Sequence, residues 1–178
     1  MFQSAGRARS APGATPLSLT TASGRCITFL LYQDKCGAGC VIIFLLYKMD
    51  VYDFIHVRQG NVIGKWVREL RGPDRARFKL KVRALSQIDY DRAIGTKLLQ
   101  GPVYKHIYKL KIHGEIMMRP LLCRGPIDND SEYTLLVGAR EENFKLLPSS
   151  APGEAGERRQ QVIDDPANRR QIRVRSRS

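Results

Sequence analysis

The chain has 178 residues, enough for one domain of ordinary size with a compact core of about 100 residues. It carries a formal charge of +13, which favours a partner with negative charge. Three of its four cysteines lie in the first quarter, a distribution that excludes a disulfide-rich scaffold and favours a reducing, cytoplasmic setting.

The positive charge is concentrated in the middle of the chain. Residues 61–124 contain 15 basic and 5 acidic side chains, whereas residues 125–156 contain 2 and 6, and residues 157–178 contain 7 and 3. A negatively charged partner is therefore expected to meet residues 61–124.

Residues 1–48 are predicted to lie outside the folded domain. Residues 1–25 are dominated by small and polar side chains that cannot bury a core, so this segment is expected to be disordered. The apolar runs at residues 26–32 and 36–47 are shorter than the roughly 20 residues that cross a bilayer, so no membrane span is predicted.

Met49 stands directly before an apolar segment, and we expect it to be the natural start of the protein. The alternative is a targeting segment, because the first residues contain arginine and lack acids. Cys36 and Cys40 have the spacing of half a metal site, but no second close pair accompanies them, so neither a metal nor a cofactor is predicted.

The folded domain is predicted to span residues 49–168, beginning with a strand at residues 51–57 and two amphipathic helices. Apolar side chains recur at helical spacing in residues 61–70, and Gly72 is predicted to end this helix with a left-handed cap. Pro73 suits the first turn of a second helix that continues to about Ile88. The two helices are expected to form a hairpin.

The second predicted helix is strongly basic, with no acid between Asp74 and Asp89. Such a helix is expected to contact phosphates without sequence preference and in a salt-sensitive way. The cations assigned to RNA binding on this helix are Arg75, Lys79, Lys81 and Arg83.

A hairpin follows a polar connection at residues 89–101. Residues 104–112 alternate, which predicts a strand with Lys105, Lys109 and Lys111 on one face and His106 on the packed face. His113, Gly114 and Glu115 are predicted to form the turn, and residues 116–123 the partner strand, with Pro120 at an edge or bulge.

The remaining elements complete an α+β fold, a small antiparallel sheet packed against an N-terminal helical hairpin. Residues 132–138 are apolar enough for a central strand. A short C-terminal helix is predicted beyond Pro148, ending near Pro166, which blocks continuation. Residues 169–178 contain five arginines and are expected to form a basic disordered tail.

Two sequence motifs of the domain resemble those of the phage-derived, HigB-like branch of the RelE/HigB toxin superfamily. The motif in the predicted hairpin is Tyr108-Lys109-Leu110-Lys111 with Gly114 and Arg119. The motif near the end of the domain is Leu135-Leu136-Val137-Gly138-Ala139-Arg140-Glu141 with Lys145 and Pro148. The order of elements is also similar, over residues 49–170. Two residues depart from the pattern: Lys109 replaces an acidic residue, and Lys111 replaces an arginine, which keeps the charge but loses the bidentate fork.

The resemblance implies the toxin of a type II toxin-antitoxin system, a metal-independent endoribonuclease. It implies messenger RNA on the ribosome as the target and a helix-turn-helix antitoxin encoded beside it. Cleavage requires a proton acceptor for the 2′-hydroxyl and cations for the phosphorane. The predicted catalytic residues are Lys109, Lys111, Arg119 and His113, with Arg140 and Lys145 closing the site after the last strand.

Two other functions remain open on the same sequence. One is an inhibitor of a protein target, as the gyrase-directed ParE relatives are. The other is a phage-derived nucleic-acid-binding protein that retains the basic surface without catalysis, an alternative raised by the departure at Lys109.

Overall fold

The computed structural model describes residues 49–172 and the backbone of two further strands, β1 (Ala14–Thr20) and β2 (Cys26–Tyr32). These two strands pair antiparallel along their full length, in a compact unit separate from Lys48–Ser178. Strand β1 thus lies inside the segment for which the sequence predicts disorder. Cys36 and Cys40 lie outside the described residues.

The second unit contains nine further strands and four helices among its described residues. In chain order these are β3 (Asp50–His56), β4 (Gly60–Asn61), α1 (Val62–Glu69), α2 (Gly72–Leu85), α3 (Tyr90–Gly95), β5 (Leu99–Tyr104), β6 (Ile107–Leu110), β7 (Leu121–Arg124), β8 (Glu132–Val137), β9 (Arg140–Glu142), β10 (Lys145–Leu147), α4 (Ala151–Asp164) and β11 (Arg169–Gln171).

The main sheet is mixed, so the prediction of an antiparallel sheet is wrong in one pairing. The strand order is β11, β3, β8, β7, β6, β5, with β4 paired beside β3. Strands β3 and β8 run parallel, whereas the other neighbours are antiparallel. The long connection through the helices lets β8 return in the direction of β3. All six residues of β8 are buried, which confirms its predicted central place.

Helices cover both faces of this sheet, and each face has its own core. On one face the core includes Phe78 and Leu85 of α2 and Leu110 of β6. On the other face, Ala155 of α4 packs in a cluster with Ile107 of β6. Ile107 and Leu110 are three positions apart in β6 and therefore point to opposite faces of the sheet, as the pleat of a strand requires.

The two-helix prediction is confirmed, with a correction at the junction. Gly72 begins α2 instead of capping α1, and the chain turns at Leu70, which is extended. Helix α3 lies in the segment predicted as a polar connection. The side chain of Asp89 begins it by accepting a hydrogen bond of 2.8 Å from the backbone nitrogen of Arg92.

The predicted strand at residues 104–112 is shorter than expected, because the chain turns at His106. His106 has a φ of 56° and is exposed, so its predicted packing is wrong. Helix α4 ends before Pro166 as predicted. Strand β11 pairs with β3, so residues 169–171 of the predicted disordered tail belong to the sheet.

Candidate functional site

The β6–β7 ladder places two predicted catalytic residues opposite each other. Lys109 pairs with Leu121, and Ile112 pairs with Met118 in the same register. Lys111 therefore lies opposite Arg119, and the turn is centred on Glu115.

Arg119 is buried, with 2% of its side chain exposed. Its Nε donates to Glu141 Oε2 at 2.7 Å, and its Nη1 donates to the carbonyl oxygens of Met118 at 2.9 Å and Ile112 at 3.2 Å. Three protein groups thus engage the guanidinium. It fixes the β6–β7 connection and adds positive charge beneath the surface.

Glu141 joins the two cations of the hairpin that the sequence assigns to catalysis. Its Oε1 accepts a hydrogen bond of 3.0 Å from Lys109, and its Oε2 accepts the bond from Arg119. Partial burial alone would raise the pKa of Glu141, but the hydrogen bond from Lys109 and the charge of Arg119 bring it below its ordinary value. Glu141 is therefore a carboxylate at neutral pH.

Strand β9 carries Glu141 into this position by pairing with the chain before β7. The backbone nitrogen of Glu141 donates to Met117 at 2.7 Å, and that of Arg119 donates to Ala139 at 2.8 Å. The sequence alone assigned no role to Glu141. Its position directly after Arg140, a predicted site residue, is the signal in the sequence that could have suggested a role for Glu141.

His113 is exposed beside these groups at the turn. Partial desolvation and the charges of Lys111, Arg119 and Lys81 lower the pKa of His113 below its ordinary value near 6.5, with Glu141 acting in the opposite direction. Its imidazole is therefore neutral at pH 7 and can accept a proton.

Removing a positive neighbour is expected to raise the pKa of His113, because the cation disfavours the imidazolium form. In Lys111→Met, the imidazole should titrate at higher pH than in the wild type. The chain has three histidines, so one-dimensional NMR of the imidazole protons can follow each, with His113→Ala assigning the signal. An unchanged titration of His113 would show that Lys111 lies beyond electrostatic reach.

A buried carboxylate holds the turn against α2. Asp74, 1% exposed, accepts hydrogen bonds from the backbone nitrogen of Glu115 at 3.1 Å and from Arg77 at 3.3 Å. A side chain on Gly114 would place its Cβ 2.1 Å from Asp74 Oδ1. Glycine is therefore required for this close approach, which keeps His113 near Lys81 of α2.

Gly114→Ala is expected to destabilise the protein by about 1–3 kcal/mol, because the added methyl group overlaps Asp74. The matched control is Gly95→Ala in α3, where a Cβ meets nothing within 4 Å. That change should be neutral or slightly stabilising. Urea denaturation compares the two, and equal stabilities would contradict the packing argument.

Only part of the basic α2 reaches the turn. Lys81 acts on His113, but Lys79 and Arg83 lie four residues apart on a different side of the helix. Arg75 donates to the carbonyl oxygens of Arg68 at 2.7 Å and Leu70 at 3.0 Å, so it caps the end of α1. Lys79 and Arg83 remain on the helix surface as a second basic row.

Arg140 and Lys145 were predicted to close the site, and the structure places both on the β9–β10 hairpin. Arg140 is exposed and forms an ion pair of 3.2 Å with Glu142, and Lys145 lies opposite Glu142 in the register. Arg140 precedes Glu141 in a strand, so its side chain points to the opposite side of β9. Neither residue is among the described partners of Glu141.

The site has an outer and an inner layer. The outer layer consists of His113, Lys111 and Lys81 and can accept a proton and bind a phosphate. The inner layer is the ion-pair network of Lys109, Glu141 and Arg119, in which Arg119 also donates to the carbonyl oxygen of Ile112, between Lys111 and His113. Within the described residues, no group of three or more His, Cys, Asp or Glu side chains is arranged to hold a metal ion.

Comparison of the chain with protein-family models, curated proteins and solved structures gave no match. In the part of the chain that the structure describes, no helix combines the length and apolar character needed to cross a membrane.

Proposed function

We propose that this protein is the toxin of a type II toxin-antitoxin system and cleaves messenger RNA on the ribosome without a metal ion. The observation that carries the proposal is the outer layer of the site. His113, whose pKa is lowered by partial desolvation and by the charges of Lys111, Arg119 and Lys81, lies close to Lys111 on an exposed turn.

Each outer residue would have a distinct role in cleavage. His113 would accept the proton of the 2′-hydroxyl as its oxygen attacks the neighbouring phosphorus. Lys111 and Lys81 would stabilise the negative charge that develops on the phosphorane. This stabilisation is strongest when the cations are already in place before the reaction. The bond between phosphorus and the 5′ oxygen then breaks, and the leaving oxygen takes a proton from water, which gives a 2′,3′-cyclic phosphate and a 5′-hydroxyl end.

The order of elements supports the proposal as well. Strand β3, helices α1 and α2, the antiparallel strands β5 to β8 and helix α4 follow one another in the order that the RelE/HigB resemblance implies, with α3 inserted before β5 and short strands added at β4, β9, β10 and β11. The expected partners are then a helix-turn-helix antitoxin, messenger RNA and the ribosome, and the expected location is the cytoplasm.

Controlled expression in bacteria tests this function. Induction should arrest growth, and primer extension should reveal new 5′ ends in messages that were being translated. Purified protein that has been treated with a chelator and then freed of it should still cut message bound to ribosomes. Growth arrest with intact messages and DNA damage would point instead to a protein target of the ParE kind.

A second candidate function is RNA binding without cleavage. The observation that favours it is the pairing of Lys109 and Arg119 with the carboxylate of Glu141, which offsets one of their two positive charges. Retention on RNA with a steep salt dependence, but without cleavage of ribosome-bound message, would support this function over the first.

A further inference from the structure

The tip of the β9–β10 hairpin exposes an aromatic side chain to solvent. Asn143 and Phe144 form the two-residue turn, with φ values of 47° and 63°. Phe144 is 97% exposed. Two left-handed residues are the geometry of a tight hairpin turn, for which Asn-Gly is the favoured pair.

Phenylalanine at this position works against the stability of the fold. A left-handed conformation strains a residue with a bulky side chain, whereas glycine adopts it freely. The exposed ring also gains almost nothing from burial. A residue whose backbone conformation is strained and whose side chain does not pack in the core is often found where a protein contacts another molecule.

The tip lies close to the candidate site along the chain. Phe144 is three residues from Glu141, a separation that an extended chain spans in about 10 Å. Its neighbours along the chain, Asn143 and Lys145, are exposed and polar, so Phe144 is a single aromatic side chain at the tip of the hairpin. Protein partners usually bind larger patches, whereas an unpaired nucleobase needs only one ring.

We propose that the ring of Phe144 stacks on a base of single-stranded RNA whose phosphate is bound by Lys111 and His113. This inference rests on the proposed RNA site and adds a residue that positions the strand. Stacking accepts any base, so Phe144 fixes the strand without reading its sequence.

The test compares Phe144→Leu and Phe144→Trp with the wild type. Leucine keeps an apolar side chain but cannot stack, and it should weaken binding of a short single-stranded RNA about tenfold or more. Tryptophan should preserve the affinity. A single-stranded RNA that contains 2-aminopurine should lose fluorescence on binding to the wild type and to Phe144→Trp, but much less on binding to Phe144→Leu.

Ile127→Leu is the matched control, because Ile127 is 47% exposed in the turn between β7 and β8, at the end of these strands away from Glu141. It should bind RNA like the wild type. Wild-type affinity and quenching in Phe144→Leu would overturn the stacking and leave the RNA site standing. Failure of the wild type to bind RNA would overturn both proposals.

Discussion

Replacing Glu141 by alanine is expected to lower the free energy of unfolding by about 3–5 kcal/mol. The reason is the burial of Arg119, which is 2% exposed and would keep its charge without the carboxylate that balances it. The two carbonyl oxygens that Arg119 also contacts carry only partial charges and cannot replace Glu141. Equilibrium denaturation in urea measures the loss.

Glu142→Ala is the matched control for this prediction. The neighbouring carboxylate forms an ion pair with Arg140, but the two side chains are 57% and 52% exposed. Exposed pairs contribute about 0–1 kcal/mol, because water and salt screen them. Equal losses in the two variants would mean that the Glu141–Arg119 pair is solvated in solution.

The burial of Arg119 also changes how substitutions at the site are interpreted. From the sequence alone, replacing Lys111 and Arg119 together by alanine is expected to abolish growth arrest and leave the fold intact. The structure gives Arg119 three hydrogen bonds inside the protein, so its loss should reduce stability together with any activity. A substitution that tests catalysis without reducing stability therefore has to be made in the outer layer of the site.

The sequence predicted those parts of the fold that depend on local periodicity. Phe78, Val82 and Leu85 recur at helical spacing, and all three are buried in α2. The apolar run of β8 indicated a central strand. Pro166 indicated the end of α4, because proline cannot continue a helix.

Features that depend on distant contacts could not be predicted in this way. The role of Glu141 exists only because β9 folds back onto the chain before β7, and the parallel pairing of β3 with β8 requires residues far apart in the chain. Likewise, His106 fits the alternation of a strand, but the backbone turns there. Alternation predicts the face of a residue only where the strand continues.

Lys111→Ala is expected to reduce RNA cleavage by about a hundredfold or more and to abolish growth arrest. The side chain lies opposite Arg119 at the exposed turn, and it is partly exposed, so it can meet a phosphate. Removing one preorganised charge at a transition state typically costs a factor of this size. Stability should change by less than about 0.5 kcal/mol, as for most surface substitutions.

Lys105→Ala is the matched control, because Lys105 is exposed in the turn between β5 and β6 and has the same charge. Alternation assigned Lys105 to the same basic face as Lys109 and Lys111, but β6 begins only at Ile107, after Lys105. Cleavage by Lys105→Ala should therefore stay close to that of the wild type. If both variants lose activity equally, cleavage depends on the overall positive charge and not on the geometry around His113. If only Lys111→Ala loses activity while urea denaturation is unchanged, the charge beside His113 acts in the chemical step or in holding the phosphate that reacts.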